Sequence, residues 1–177
     1  MTRWSVGLVL AAGLLAGSAP ASLSASNPDP STLPAADERP PALVLPSLDG
    51  KEVSLESLRG RLVLLHFWAT WCPTCRAEML LLEQAALDHP GNLVVLGINL
   101  GEKRARVAAY ATSTGITFPI LLDTRGRVAA RYGVLSLPIT LVVGPDGRLE
   151  ERVSMGSLDP ASLTALLDRH LPRGTPP

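Results

Sequence analysis

Cysteine is scarce in this chain. Two occur in 177 residues, Cys72 and Cys75, and they stand three positions apart. A scaffold stapled by structural disulfides needs more cysteines at wider spacing. A bridge across so short a loop contributes little through loop closure, so chemistry is the better reason for the pair. Net charge is missing as well, because sixteen Lys and Arg balance sixteen Asp and Glu. No field of one sign draws the chain to nucleic acid or anionic lipid, and no basic stripe with interleaved aromatics supports nucleic-acid binding. Long apolar runs are absent too. The run from Val6 to Gly17 is short beside the roughly 20 residues that comfortably span a bilayer.

What is present suffices for a folded body. A composition of 46% hydrophobic and 18% charged residues supports a packed core and argues against disorder, and the length allows one domain with or without a tail. At the N-terminus Arg3 precedes the apolar run, and Ala19, Ala21 and Ala25 follow it. A positive start, a short apolar stretch and the Ala-x-Ala-like site Ala19-Pro20-Ala21 have the layout of a secretory signal. No cysteine sits just after the run, so lipoprotein attachment has no support. The sequence predicts export and leaves open whether the segment stays as a membrane anchor. Pro, Ser, Ala and Asp dominate the next stretch, as in exposed linkers. The expected organisation is a signal peptide or anchor at 1–25, a flexible linker at 26–41, a domain at 42–171 and a frayed tail at 172–177.

Within the domain, apolar runs alternate with helical stretches. Leu43 to Leu45 and Lys51 to Leu55 flank an Asp49-Gly50 turn, a hairpin pattern. Leu62 to Trp68 and Leu93 to Ile98 are near-continuous apolar runs of buried-strand length. Pro73 to Asp88 reads as a helix of good formers, and Glu102 to Thr112 as a second. Phe118 to Leu122 is expected as a short strand, and Arg127 to Tyr132 as a short helix ended by Gly133. Thr140 to Val143 and Leu149 to Met155 flank Gly144-Pro145-Asp146-Gly147, an antiparallel hairpin signature. Asp159 and Pro160 open a last helix. The fold class is α/β: a mixed sheet with helices on both faces, parallel in its first half.

Cys72 falls just after a buried strand and just before a helix. Backbone N–H groups and the dipole at a helix N-terminus favour an anion there, and only the thiolate attacks a disulfide. Pro73 suits the first helical position, where its missing N–H costs nothing. Cys75 lies one turn on, in reach of a mixed disulfide formed at Cys72, so the two thiols make a reversible two-electron couple. The disulfide is itself the redox group, and no cofactor is expected. Zinc is the competing use of a Cys-x-x-Cys, but four ligands are needed and no second pair exists; His66, His89 and His170 are scattered.

Phe67-Trp68-Ala69-Thr70-Trp71-Cys72-Pro73-Thr74-Cys75-Arg76-Ala77-Glu78 resembles the active-site segment of thioredoxin-like proteins of the TlpA/ResA type. Further matches follow at Asn99-Leu100-Gly101-Glu102, at Phe118 to Asp123, and from Tyr132-Gly133-Val134 to Leu137-Pro138, across about residues 40–170. The resemblance implies a thioredoxin fold with an extra strand–helix insertion, here Leu93 to Thr114. It also implies an extracytoplasmic thiol–disulfide oxidoreductase, a type that often serves cytochrome c maturation. Carried over, Pro138 would be a cis-proline facing the cysteines, Glu78 the acidic residue near Cys75, and Glu102 a second acidic position near the site. Trp71, Pro73 and Thr74 complete the motif. Glu78 can help move the proton off Cys75; the bland alternatives are solvent-facing or helix-start carboxylates. Two positions depart from the family. His66 stands where thioredoxins carry a buried aspartate, and serves either as a hydrogen-bonded strand residue or as a proton acceptor near Cys75. Leu80 replaces a common proline, so the helix should run without a proline kink.

The resemblance implies two partners: a disulfide-bearing exported client such as apocytochrome c, and a membrane thiol carrier that feeds electrons to the pair. Alternatives within the same motif are reduction of copper-site cysteines, action as an oxidant, since direction depends on the potential, or Cu(I) transfer by the thiolates as soft ligands. A peroxidase is disfavoured, because Ala69 occupies the place of its usual threonine.

Overall fold

The computed structural model describes Met1, residues 36–154 and residues 158–171. The export signal, most of the linker, Met155 and the tail lie outside the described residues. A small antiparallel hairpin comes first, β1 (Val44–Pro46) and β2 (Glu52–Ser54), and a 3-10 turn over Leu55–Leu58 follows it. The main sheet has five strands: β3 (Leu62–Trp68), β4 (Leu93–Leu100), β5 (Ile120–Asp123), β6 (Ile139–Val143) and β7 (Leu149–Ser154). Their order is β5-β4-β3-β6-β7. The first three are parallel, β6 pairs antiparallel with β3, and β7 pairs antiparallel with β6. Three helices connect strands, α1 (Pro73–Asp88), α2 (Arg104–Thr114) and α3 (Arg127–Arg131), and α4 (Pro160–His170) follows β7. The unit β4–α2 lies between α1 and β5 in the chain, with β4 paired parallel to the central β3.

β3 is central and wholly buried, which is why its sequence is a continuous apolar run rather than an alternating one. Successive side chains point to opposite faces. Leu62, Leu64 and Trp68 face the cluster formed with Met79 and Leu82 of α1 and Leu163 and Leu166 of α4. Val63, Leu65 and Phe67 face the opposite cluster, closed by Leu43, Leu45, Val128 and Tyr132. His66 shares the parity of Leu64 and Trp68, so it points toward α1.

Local signals set most boundaries. Asp159 accepts from Ser162 N at 2.8 Å while Ser162 Oγ accepts from Asp159 N, a reciprocal cap that starts α4. α1 runs unbroken through Leu80. Ahead of residue 42, Asp37 N donates to Leu149 O and Leu149 N to Glu38 O, so the chain is tied to the body from that point. The hairpin meets the sheet edge through the Ser47–Leu121 bridge.

Candidate active site

Three segments meet at one end of the sheet. The parallel strand β3 delivers Ala69 to Cys72 there, and its parallel neighbour β4 delivers Asn99 to Glu102, since Trp68 pairs with Asn99. β6 runs the other way, so it begins where β3 ends, with Ile139 opposite Phe67. The residue before β6 is Pro138, and the Leu137–Pro138 bond is cis, as the resemblance implied.

Cys72 is the N-cap of α1 and Pro73 its first residue. Cys72 and Cys75 are disulfide-bonded, with Cα atoms 5.3 Å apart. Cys72 Sγ accepts from Cys75 N at 3.2 Å, and Thr74 Oγ1 lies 3.9 Å from the same sulfur. The helix N-terminus and this N–H both favour negative charge on Cys72. Cys72 keeps 4% of its surface and Cys75 none, so the outer sulfur is the one a client can reach. Beside it Trp71 is 65% exposed, and Leu135, in the loop before Pro138, is 92% exposed. A large apolar side chain left in water next to a reactive sulfur, as Trp71 is, offers a protein client something to bury.

Glu102 is not a helix-start carboxylate. α2 begins two residues later with Lys103 as its N-cap. The Glu102 carboxylate turns toward β3 and accepts from Thr70 N at 2.7 Å, Thr70 Oγ1 at 2.6 Å and Asn99 Nδ2 at 2.8 Å. Arg106 closes the group, with Nε 3.1 Å from Glu102 and 3.0 Å from Thr70 Oγ1. Burial works to raise the Glu102 pKa, but the bonds from Asn99 and Thr70 and the Arg106 charge outweigh it and hold the value below normal. The carboxylate thereby fixes the turn that presents Trp71 and Cys72. Arg106 and Thr70 did not emerge as site residues from the sequence; the four-residue spacing from Glu102 to Arg106 is the local signal that could have pointed to the former.

Below the cysteines, Glu78 is buried in α1 at 4% exposure and does not face solvent. Its Oε2 lies 3.8 Å from His66 Nδ1, and that nitrogen is 2.9 Å from Thr140 Oγ1. Burial drives the His66 pKa down to about 3, so the ring is neutral near pH 7. His66 is therefore both hydrogen-bonded and within reach of a carboxylate. Thr140, 74 residues away, carried no sequence signal for this pairing. Among the described residues no group of His, Cys, Asp and Glu is arranged to hold a metal ion, and no helix is long and apolar enough to cross a membrane.

The AhpC/TSA family model matches residues 36–152. The chain is 34% identical over 134 residues to the thioredoxin-like protein YneN of Bacillus subtilis, covering 74% of this chain and 78% of that one. It is also 34% identical over 115 residues to the thiol-disulfide oxidoreductase ResA of Geobacillus thermodenitrificans, covering 64% and 66%. The fold superposes on a secreted Mycobacterium tuberculosis disulfide oxidoreductase homologous to E. coli DsbE. There the TM-score is 0.66 at 26% identity, over 72% of this chain and 95% of that one.

Proposed function

As a member of the AhpC/TSA family, to which this chain belongs as a thioredoxin-fold thiol–disulfide oxidoreductase acting on disulfide-containing proteins, we propose that it is an exported reductant of the Cys-x-x-Cys type. Cys72 is the attacking sulfur: as a thiolate it opens a client disulfide and forms a mixed disulfide. Cys75 then attacks Cys72, which releases the reduced client and leaves the bridge of the oxidised form. Trp71, Pro138 and the loop carrying Leu135 flank the client chain, and Glu102 with Thr70 holds the presenting turn. Glu78 lies one helical turn past Cys75 and takes part in moving the thiol proton. The observation that carries this reading is the asymmetry of the pair. Cys72 caps the helix with its sulfur on a backbone N–H, while Cys75 is shut inside.

The client is apocytochrome c, in keeping with the TlpA/ResA-like motif, and the electrons come from a membrane thiol carrier, since an oxidising compartment supplies none. The export layout at residues 1–25 supports work outside the cytoplasm. A Cys75→Ser variant of the exported protein tests this directly, because it stops after the first attack. It should accumulate covalent complexes with exported proteins bearing Cys-x-x-Cys-His haem-attachment sites, and Cys72→Ser should accumulate none. Complexes with copper-site proteins instead would move the client assignment to oxidase assembly. No complexes at all would overturn the reading.

A further inference from the structure

The solvent face of α1 beside the cysteines is more apolar than water contact alone would ask. Exposed helix positions are ordinarily polar, yet Pro73, Ala77 and Leu80 follow one another at steps of four and three, which sets them on one side of the helix. Leu80 keeps 52% of its surface exposed. With Arg76 these residues form one wall of a groove of about 320 Å³, and Tyr110 and Thr114 of α2 form the other. The α2 wall is firmly held. The Tyr110 ring lies 5.1 Å from the buried Trp68 ring, and Thr114 Oγ1 donates to Tyr110 O at 2.9 Å.

Arg76 is the charged member of the groove. Its side chain has no hydrogen-bond or ion-pair partner among the described residues, and neither has the Tyr110 hydroxyl. The Arg76 charge is felt at Tyr110, where it opposes the rise in pKa that burial causes. The segments that frame Cys72 share this sign. Residues 99–106 carry Lys103, Arg104 and Arg106, and their one carboxylate, Glu102, is buried under its bonds from Thr70 and Asn99. Residues 69–77 carry Arg76 alone, and residues 133–138 carry no charge. Acid and base balance over the whole chain, so the cysteine end is the positive one.

Distance selects the occupant. A helix rises about 1.5 Å per residue, so Ala77 and Leu80 lie roughly 8 and 12 Å along the axis from Cys72. An extended chain advances about 3.3 Å per residue, so a client sulfur on Cys72 brings residues about two to four positions from its cysteine over the groove. We propose that the groove between α1 and α2 is a client subsite: it takes an apolar side chain about two to four residues from the client's disulfide cysteine, and Arg76 pairs a carboxylate beside that side chain. The proposal rests on the dithiol reading above. Pro73 belongs to the groove and follows Cys72 directly, so the client surface over the groove is continuous with the one at the sulfur. Burial of Leu80 strengthens the encounter, and the positive rim steers acidic segments toward Cys72 over basic ones.

Two synthetic peptides test the subsite, Leu-Asp-Ala-Cys-Ala-Asp-Leu and Ser-Lys-Ala-Cys-Ala-Lys-Ser, each with its cysteine joined to thionitrobenzoate. Their symmetry presents the same side chains to the groove in either chain direction. Attack of the reduced protein's Cys72 thiolate on the peptide sulfur expels coloured thionitrobenzoate, which stopped-flow absorbance follows. The ratio of the two rates cancels any change at the attacking sulfur. For the wild type in about 20 mM salt, the Leu/Asp peptide should react at least about tenfold faster. Leu80→Ser should cut the ratio about fivefold, as expected for half a leucine side chain left unburied. Arg76→Gln should cut it about two- to fivefold and weaken its dependence on salt. Both positions are exposed, so neither change disturbs the core. A wild-type ratio near unity, or a ratio that neither variant lowers, would overturn the proposal. A dimer in sedimentation equilibrium that Leu80→Ser dissolves would overturn it too, because a second copy would then fill the groove. A reduced wild type that releases no pyridinethione from small, neutral dithiodipyridine would instead sink the dithiol reading on which the subsite rests.

Discussion

Lowering the pH of the oxidised protein from about 7 to about 5 should destabilise it through His66. The ring's folded pKa is depressed to about 3 against an ordinary 6.5, with burial as the cause. Between those values the unfolded chain binds a proton that the folded chain refuses. Stability from this group is therefore complete above about pH 6.5 and is lost progressively as the pH falls toward about 3. With those two pKa values, the loss between about pH 7 and about pH 5 is about 2 kcal/mol. That is a large fraction of the roughly 5–15 kcal/mol by which domains are stable. Glu102, Glu151 and Asp159 also sit below their ordinary pKa values in the fold, so they too lose stabilisation in acid. They do so equally in a His66→Asn variant, and the difference between the two proteins isolates the ring. Urea unfolding followed by tryptophan fluorescence at a series of pH values measures it. Relative to the wild type, the variant should gain about 2 kcal/mol across that interval. Parallel curves would refute the reasoning, because His66 would then be taking its charge inside the fold as an ion pair with Glu78.

Two further perturbations test the frame around the site. A Cβ on Gly97 would come 3.0 Å from Phe118 Cε2 and 3.1 Å from Trp68 Nε1, so Gly97→Ala should cost about 1–3 kcal/mol by overpacking in a urea titration; no loss would mean that the two rings yield freely. Glu102→Gln keeps the shape but loses two of the accepting lone pairs and the charge beside Arg106, so the Thr70 turn should loosen. Faster amide hydrogen exchange at Thr70 and Trp71, with α4 unaffected, is the expected result, and unchanged exchange would contradict the clamp.

The sequence made the site's scaffold legible because its signals are local. A proline at the first helical position and a cysteine before it marked the start of α1, and a continuous apolar run marked the buried strand that delivers them. Departures came where distant partners decide. α2 starts at Arg104 rather than Glu102, because the Glu102 carboxylate is taken by Thr70 from 32 residues away. β5 starts at Ile120 rather than Phe118, because Pro119 has no N–H to give and offers its carbonyl to Gly97 instead. The second hairpin strand ends at Ser54, and Leu55 opens a 3-10 turn. The Thr140 partner of His66 and the position of its ring against Glu78 depend on strand order, which no window of sequence contains.

The reduction potential of the Cys72–Cys75 pair tests the central claim most directly, by equilibrating the full chain with dithiothreitol or glutathione buffers and counting free thiols. A reductant supplied from across a membrane should have a potential near or below about −270 mV, the thioredoxin value. A potential near about −120 mV, that of a strong oxidant, would contradict the account: the pair would then insert disulfides into its clients rather than remove them.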